Sequence, residues 1–138
     1  MKRVLLLTLL CAFTIVIAGC GSDEQDLALS KEEVKKIEDS LNLWTEDTAY
    51  ENSKFKIQTD GNNLKIAVVT PIMDLMTHYN TITADETVKA IKKSLIFDDA
   101  CDSIKEENIV NFDSMQIYIF NNEKDFDNND WYTLKTVN

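Results

Sequence analysis

The chain has 138 residues, 24 of them acidic and 14 basic, and its formal net charge at pH 7 is −10. Nucleic-acid binding depends on clustered Lys and Arg side chains that neutralise phosphates, so this composition argues against a nucleic-acid partner. The length allows one domain with a single hydrophobic core and leaves little room for a second.

The first 22 residues carry the most specific signal in the sequence. Lys2 and Arg3 form a positive start, and the apolar run VLLLTLLCAFTIVI over residues 4–17 has the length of a secretory signal. A membrane-spanning helix needs about 20 apolar residues. The run ends in IAGC at residues 17–20, which resembles the lipobox of bacterial lipoproteins: a branched residue, two small residues and a cysteine. An ordinary cleaved signal and an uncleaved membrane span remain the alternatives.

The resemblance implies that residues 1–19 are a cleaved lipoprotein signal peptide and that Cys20 carries a thioether-linked lipid with at least two acyl chains. Two chains anchor a protein stably, whereas one chain holds it only marginally. Residues 20–29 are then the lipidated cysteine and a short tether, and residues 30–138 form an acidic domain. This organisation predicts a cell-membrane lipoprotein on the extracytoplasmic side.

The charge of the mature chain indicates how the protein is held at the membrane. Loss of Lys2 and Arg3 from the 14 basic residues leaves 12 basic side chains against 24 acidic ones, a formal net charge of −12. Anionic lipid repels such a chain. The membrane is therefore expected to be a partner through the lipid on Cys20 and not through surface charge.

The first predicted helix begins after Ser30. Ser30 and Glu33 have the spacing of a capping box, and Leu29 and Val34 occupy the positions of a hydrophobic staple. One apolar stripe follows at helical spacing and is expected to face the core; its members are Val34, Ile37, Leu41 and Trp44.

A β-hairpin is predicted next, over KFKIQTDGNNLKIAVV at residues 54–69. Asp60-Gly61 is a dipeptide favoured in type I′ turns, where both central residues need positive φ. With these two as the turn, Ile57 lies opposite Leu64 and Phe55 lies opposite Ile66, which places apolar side chains on one face.

Helical segments are predicted between residues 70 and 107. Thr70 caps a short helix with Pro71 at its first position, where the missing N–H costs nothing. Thr83 and Glu86 make a second capping box. The apolar stripes of these two helices are Ile72, Leu75, Met76 and Tyr79 in the first, and Val88, Ile91 and Leu95 in the second. Residues 98–107 add a further helical turn or two, with Cys101 and Ile104 facing inward.

The chain closes with two runs rich in aromatic and β-branched residues, SMQIYIF at 114–120 and WYTLKTV at 131–137. The polar stretch 121–130 between them predicts a second hairpin with a long loop. The predicted order is helix, β-hairpin, helices, β-hairpin. This order indicates an α+β domain with a four-stranded antiparallel sheet and helices on one face.

The loop NNEKDFDNND is the one stretch with the oxygen ligands that Ca²⁺ takes. Its weak metal candidates are Asp125, Asp127, Asn129 and Asp130. An EF-hand requires glycine where Asp130 stands and a bidentate glutamate where Thr136 stands. We therefore interpret the stretch as a solvated hairpin loop and predict no metal site.

Cys101 is the only thiol left free once the signal is removed and Cys20 is lipidated, and a free cysteine is most often a small buried hydrophobe. His78, the single histidine, follows Asp74 by four residues, so the two can share a helix face. A thiol enzyme commonly uses a positioned histidine base. No catalytic, zinc or phosphate-binding motif accompanies these residues, and no cofactor is predicted.

The sequence thus favours a non-enzymatic, membrane-anchored lipoprotein whose acidic domain binds another protein or a peptide. One alternative is a hydrolase, built either from unrecognised carboxylates or from Cys101 and His78. A second alternative is a ligand or cation sensor that uses residues 121–130.

Overall fold

The computed structural model describes residues 27–138, and the predicted signal peptide and Cys20 lie outside them. Four strands and five helices follow one another in this part of the chain. In chain order they are α1 (Lys31–Thr45), β1 (Lys54–Asp60), β2 (Asn63–Val69), α2 (Ile72–His78), α3 (Ala84–Lys93), α4 (Ile96–Glu106), β3 (Met115–Phe120), α5 (Glu123–Asp127) and β4 (Thr133–Val137).

The strands form one sheet in the order β1-β2-β3-β4. β1 pairs with β2 and β3 pairs with β4 in antiparallel fashion, as the two predicted hairpins require. β2 and β3 are parallel, so the α+β class is confirmed but the all-antiparallel sheet is wrong. The cause is the connection α2–α3–α4, which carries the chain back to the end of the sheet where β2 began, as parallel pairing demands.

The hydrophobic core lies on one face of the sheet. Alternate residues of β2 and β3 point to this face, and α1 to α4 cover it. Its fully buried members include Ile37, Leu41, Leu64, Ile66, Leu75, Ile91, Phe97, Ile104, Ile117 and Ile119. α5 lies on the opposite face, where Phe126 packs edge-on against Phe120 at a ring-centroid distance of 5.3 Å. The expectation of helices on one face therefore holds for α1 to α4 and fails for α5.

Both predicted capping boxes are present. The Ser30 hydroxyl accepts the Glu33 N–H at 3.2 Å, and the Glu33 carboxylate accepts the Ser30 N–H at 2.7 Å. Thr83 and Glu86 repeat the arrangement at the start of α3. These exchanges satisfy N–H groups that have no partner within the helix, which explains why both helices begin where the sequence predicts.

The start of α2 differs from the prediction. Pro71 is the N-cap residue and not the first helical residue. The first free N–H of the helix, that of Ile72, donates to the Asn121 side chain at 2.9 Å. Asn121 is 49 residues away in the chain, so no local pattern could have indicated this cap.

The first hairpin turn lies one residue later than predicted. Asp60 pairs with Asn63, which makes Gly61 and Asn62 the turn residues. Gly61 has φ +58°, and positive φ at the first central position alone fits a type II′ turn and not type I′. The shift moves each partner by two residues, so Ile57 pairs with Ile66 and apolar side chains stay on the core face.

Two predicted apolar stripes emerge from the core at their ends. Trp44 at the end of α1 is 38% exposed, and Leu95 just after α3 is 67% exposed. α3 ends at Lys93, so Leu95 no longer follows the helical spacing that would have turned it inward. Both side chains are therefore exposed at the surface and are not part of the core.

Candidate functional site

The described chain enters the domain at the β1–β2 turn. The N–H of Leu27 donates to the carbonyl of Gly61 at 2.9 Å. Leu27 and Leu29 also pack against the core. Any tether that precedes Leu27 therefore leaves from this end of the sheet.

Cys101 and His78, the residues of the thiol-hydrolase alternative, occupy different environments. Cys101 is fully buried in α4 as part of the core, and burial raises the pKa of its thiol. His78 is exposed at the end of α2, where its ring stacks edge-on against Tyr79. A buried thiol with a raised pKa is a poor nucleophile, so these two side chains form no catalytic pair.

The weak metal candidates do not converge either. The loop contains α5, whose N-cap Asn122 accepts the Asp125 N–H at 3.0 Å and donates to the Asp125 carboxylate at 2.9 Å. Asp127 ends the helix, and Asn129 and Asp130 are exposed in the following turn. Across residues 27–138, no group of three or more His, Cys, Asp or Glu side chains could hold a metal ion.

One surface feature of the described residues is a groove along β4. β4 is an edge strand: within the described residues its only strand partner is β3. The groove has a volume of about 420 Å³ and runs between β4 and the segment from the end of α3 to α4. Its helical wall carries Lys92, Lys93, Leu95 and Asp98, and its strand wall carries Leu134, Lys135 and Thr136.

The backbone of β4 presents hydrogen-bonding groups to this groove. In the parallel pair, Leu64 donates to the Ser114 carbonyl at 2.9 Å and Thr70 donates to the Phe120 carbonyl at 2.8 Å. The even-numbered residues of β3 therefore point their backbone groups at β2. Because this direction alternates along a strand, the odd-numbered residues of β3 point at β4. One of them, Ile119, accepts the N–H of Tyr132, the residue just before β4, with its carbonyl at 2.7 Å.

The same alternation assigns the backbone of β4. Lys135 is the register partner of Ile117, so the N–H and C=O of Lys135 point towards β3. The N–H and C=O of Leu134 and Thr136, one residue on either side, must then point away from the sheet. An edge strand with such groups exposed is a template for another strand.

Lys135 holds the helical wall of the groove against β4. Its side chain is only 8% exposed, and its ammonium group donates to the Asp98 carboxylate at 2.6 Å and to the carbonyl of Ser94. Ser94 is the C-cap residue of α3, where a cation is favourable because the helix end carries partial negative charge. Asp98 therefore neutralises Lys135, and the ion pair fixes α3 and α4 to the strand.

Two side-chain hydrogen bonds hold α3 beside β4, one near each end of the helix. At its start, the Tyr132 hydroxyl donates to the Ala84 carbonyl at 2.8 Å, and at its end Lys135 reaches Ser94. Lys92 and Lys93 lie in the last turn of α3. They are exposed, and neither forms an ion pair within residues 27–138.

Trp131 flanks the start of β4 on the opposite face of the sheet. It is 45% exposed, and its ring meets that of Tyr118 edge-on at a centroid distance of 6.0 Å. The β4 edge thus has lysines and Leu95 on its helical side, and an aromatic side chain on its open side. Tryptophan is enriched where protein interfaces bury their energetically important residues.

α5 covers part of the open face nearer β1. The Glu123 carboxylate accepts hydrogen bonds from Lys54 at 3.0 Å and from Lys56 at 2.6 Å, and these ammonium groups lower its pKa. The Lys56 ammonium also lies 3.8 Å from the centre of the Phe126 ring. These contacts hold α5 to the β1 side of the open face.

Sequence reasoning missed the groove. Two signals were available: the last strand of a chain often forms a sheet edge, and Leu95 follows two lysines at a helix end. Neither signal shows that α3 lies beside β4, because that contact joins residues about 40 positions apart, as the Lys135 to Ser94 hydrogen bond does.

Comparisons with protein families, curated proteins and solved structures give no match to this chain. Among the helices of residues 27–138, none has both the length and the hydropathy needed to cross a membrane.

Proposed function

We propose that this protein is an extracytoplasmic lipoprotein, anchored in the membrane through lipid on Cys20, whose domain binds another protein or a peptide. The observation that carries the binding role is the free edge of β4, bordered by the exposed side chains of Leu95 and Trp131. Exposed apolar side chains beside unpaired backbone groups favour association with another chain.

The anchor rests on the resemblance of residues 17–20 to a lipobox. The described structure is compatible with it, because the chain enters the domain at the β1–β2 turn, where Leu27 bonds Gly61. Residues 21–26 span at most about 20 Å when extended. A lipid on Cys20 would therefore hold this end of the sheet close to the membrane and leave the β4 edge accessible from the side.

The anchor is tested by Cys20→Ala in the full-length chain. We expect the lipoprotein in the membrane fraction and the variant in the soluble or unprocessed pool, because residues 4–17 are too few to form a stable span. Retention of a cleaved, unlipidated variant in the membrane would contradict the anchor.

Binding is tested by photo-crosslinking in intact cells. A photo-reactive residue at position 95 or 131 lies beside the β4 edge, and one at position 35 lies on an exposed part of α1 and serves as the control. We expect a discrete adduct from 95 or 131 and none from 35. Equal adducts from all three positions, or no adduct from any, would contradict a binding role for this surface.

A further inference from the structure

We infer that the β4 groove binds an extended, acidic peptide segment of a partner protein, which adds to the sheet as a fifth strand. This inference rests on the proposed binding function and deepens it by naming the site and the chemistry of the partner.

The backbone of β4 can pair with an added strand. Leu134 and Thr136 direct their N–H and C=O groups away from β3, into the groove that they line. A peptide in β conformation can pair with all four groups, which is the recognition mode of strand addition. β4 has five residues, or about 17 Å at 3.4 Å per residue, so the bound segment is about five residues long.

The groove is basic although the protein is acidic. The whole chain carries a formal net charge of −10, yet the lining of this groove contains three lysines and one carboxylate. That carboxylate, Asp98, is bound to Lys135. Lys92 and Lys93 remain available, and such a local reversal of sign attracts carboxylates and repels basic segments.

The two sides of a bound strand would meet different surfaces. Alternate side chains of an added strand point to opposite faces of the sheet. One set would face Lys92, Lys93 and Leu95, and the other would face Leu134 and Trp131 on the open side. The preferred segment therefore alternates acidic with apolar residues.

A competing explanation is that the lysines only protect the edge. Lysine beside an edge strand commonly discourages pairing with other chains. The two explanations differ in one measurable respect, because a protective role excludes every added strand, whereas the binding role admits acidic ones and excludes basic ones.

The experiment uses the intact lipoprotein in non-ionic detergent and a fluorescent heptapeptide of alternating glutamate and valine. Anisotropy reports binding, with empty micelles and a lysine–valine peptide as controls. We expect saturable binding of the acidic peptide, weaker at higher ionic strength because exposed charges are screened, and no binding of the basic peptide. Failure of the acidic peptide to bind would overturn the inference.

Charge reversal tests the groove. Lys92→Glu together with Lys93→Glu is expected to weaken binding about tenfold, because two weak surface attractions become repulsions. The matched control reverses Lys35 and Lys36, an equally consecutive and exposed pair on α1, and should leave the affinity within about twofold of the original. An equal loss in both double variants would place the peptide elsewhere.

Backbone pairing is tested at Thr136. Proline is tolerated on an edge strand where its missing N–H would face outward, so Thr136→Pro removes one donor from the groove and is expected to abolish binding. Thr136→Ala keeps that N–H and should retain binding. Full binding by Thr136→Pro would overturn the inference. If this variant does not fold, the double variant Lys92→Glu, Lys93→Glu is the test of whether the peptide binds in the groove.

The two levels of the proposal fail in different ways. A partner cross-linked from position 95 or 131 that is insensitive to the lysine reversal and to Thr136→Pro supports the binding function and overturns the acidic-strand inference. Absence of any partner adduct contradicts the binding function itself.

Discussion

The ion pair between Lys135 and Asp98 should be asymmetric in its contribution to stability. Lys135 is 8% exposed and Asp98 is 35% exposed. Asp98→Ala leaves a buried ammonium group with the Ser94 carbonyl as its remaining partner. Lys135→Met removes the charge, keeps most of the aliphatic stem, and leaves a carboxylate that water can reach.

The magnitude lies between two limits. Breaking a fully buried ion pair costs about 3–5 kcal/mol, and losing an exposed pair costs roughly 0.2–1 kcal/mol. Because Asp98 is partly solvated, we expect Asp98→Ala to lower the free energy of unfolding by about 2 kcal/mol. Lys135→Met should cost less than about 1 kcal/mol, since a well-packed apolar substitute for a buried charge is often neutral.

Urea and thermal unfolding of the two single variants and the double variant provide the assay. For a domain of this size, about 1 kcal/mol shifts the melting temperature by about 4 °C, so Asp98→Ala should lower it by about 8 °C. Adding Lys135→Met to Asp98→Ala should restore most of the loss, because no unpaired charge remains. Equal costs for the two single variants, or a cost below about 0.5 kcal/mol for Asp98→Ala, would refute the assignment of a buried, charge-paired Lys135.

Three further predictions concern the turn, the helix caps and the α5 loop. Gly61→Val should destabilise the domain by about 1 kcal/mol or more in thermal melts, because its φ of +58° is strained for an L-residue although nothing lies within 4 Å of the added Cβ, and an unchanged melting temperature would contradict the turn. The pKa of Glu33 is lowered from 4.5 chiefly by a hydrogen bond from Ser30, and that of Glu86 chiefly by a hydrogen bond from the Ile82 N–H. The stabilisation from these carboxylates is therefore present above about pH 4.5 and is lost as the pH falls through the lowered pKa values. Urea unfolding should show a lower stability at pH 3 than at pH 6, and the difference should be smaller in the double Gln variant. Addition of Ca²⁺ at about 1 mM should leave the melting temperature nearly unchanged, whereas a site with Kd near 10 µM would add about 2.7 kcal/mol to the stability. An upward shift that is lost in Asp125→Ala would contradict the interpretation of residues 121–130 as a solvated loop.

Local features of the fold could be predicted from sequence because their causes are local. The capping boxes at Ser30 and Thr83 involve residues three positions apart, and both are present. The two hairpins follow from alternation and turn residues. Even the error at Gly61 is local, because a shift of one turn residue keeps the same side chains on the core face.

The remaining features depend on contacts between distant residues. The parallel pairing of β2 and β3 depends on where three helices return the chain. Asn121 caps α2 from 49 residues away, and Asp98 pairs with Lys135 across 37 residues. The groove exists only because α3 lies beside β4. No short sequence motif therefore predicts the shape or the charge of the groove.

Amide hydrogen exchange at the β4 edge tests the central claim most directly, with the intact lipoprotein measured alone and with the glutamate–valine peptide. In the free protein, the amides of Leu134 and Thr136 should exchange rapidly and that of Lys135 slowly, since of these three residues only Lys135 directs its N–H at β3. Peptide binding should slow exchange at Leu134 and Thr136 and leave Lys135 unchanged. Protection that appears along β1, or no protection at Leu134 and Thr136 when the peptide is bound, would contradict the account.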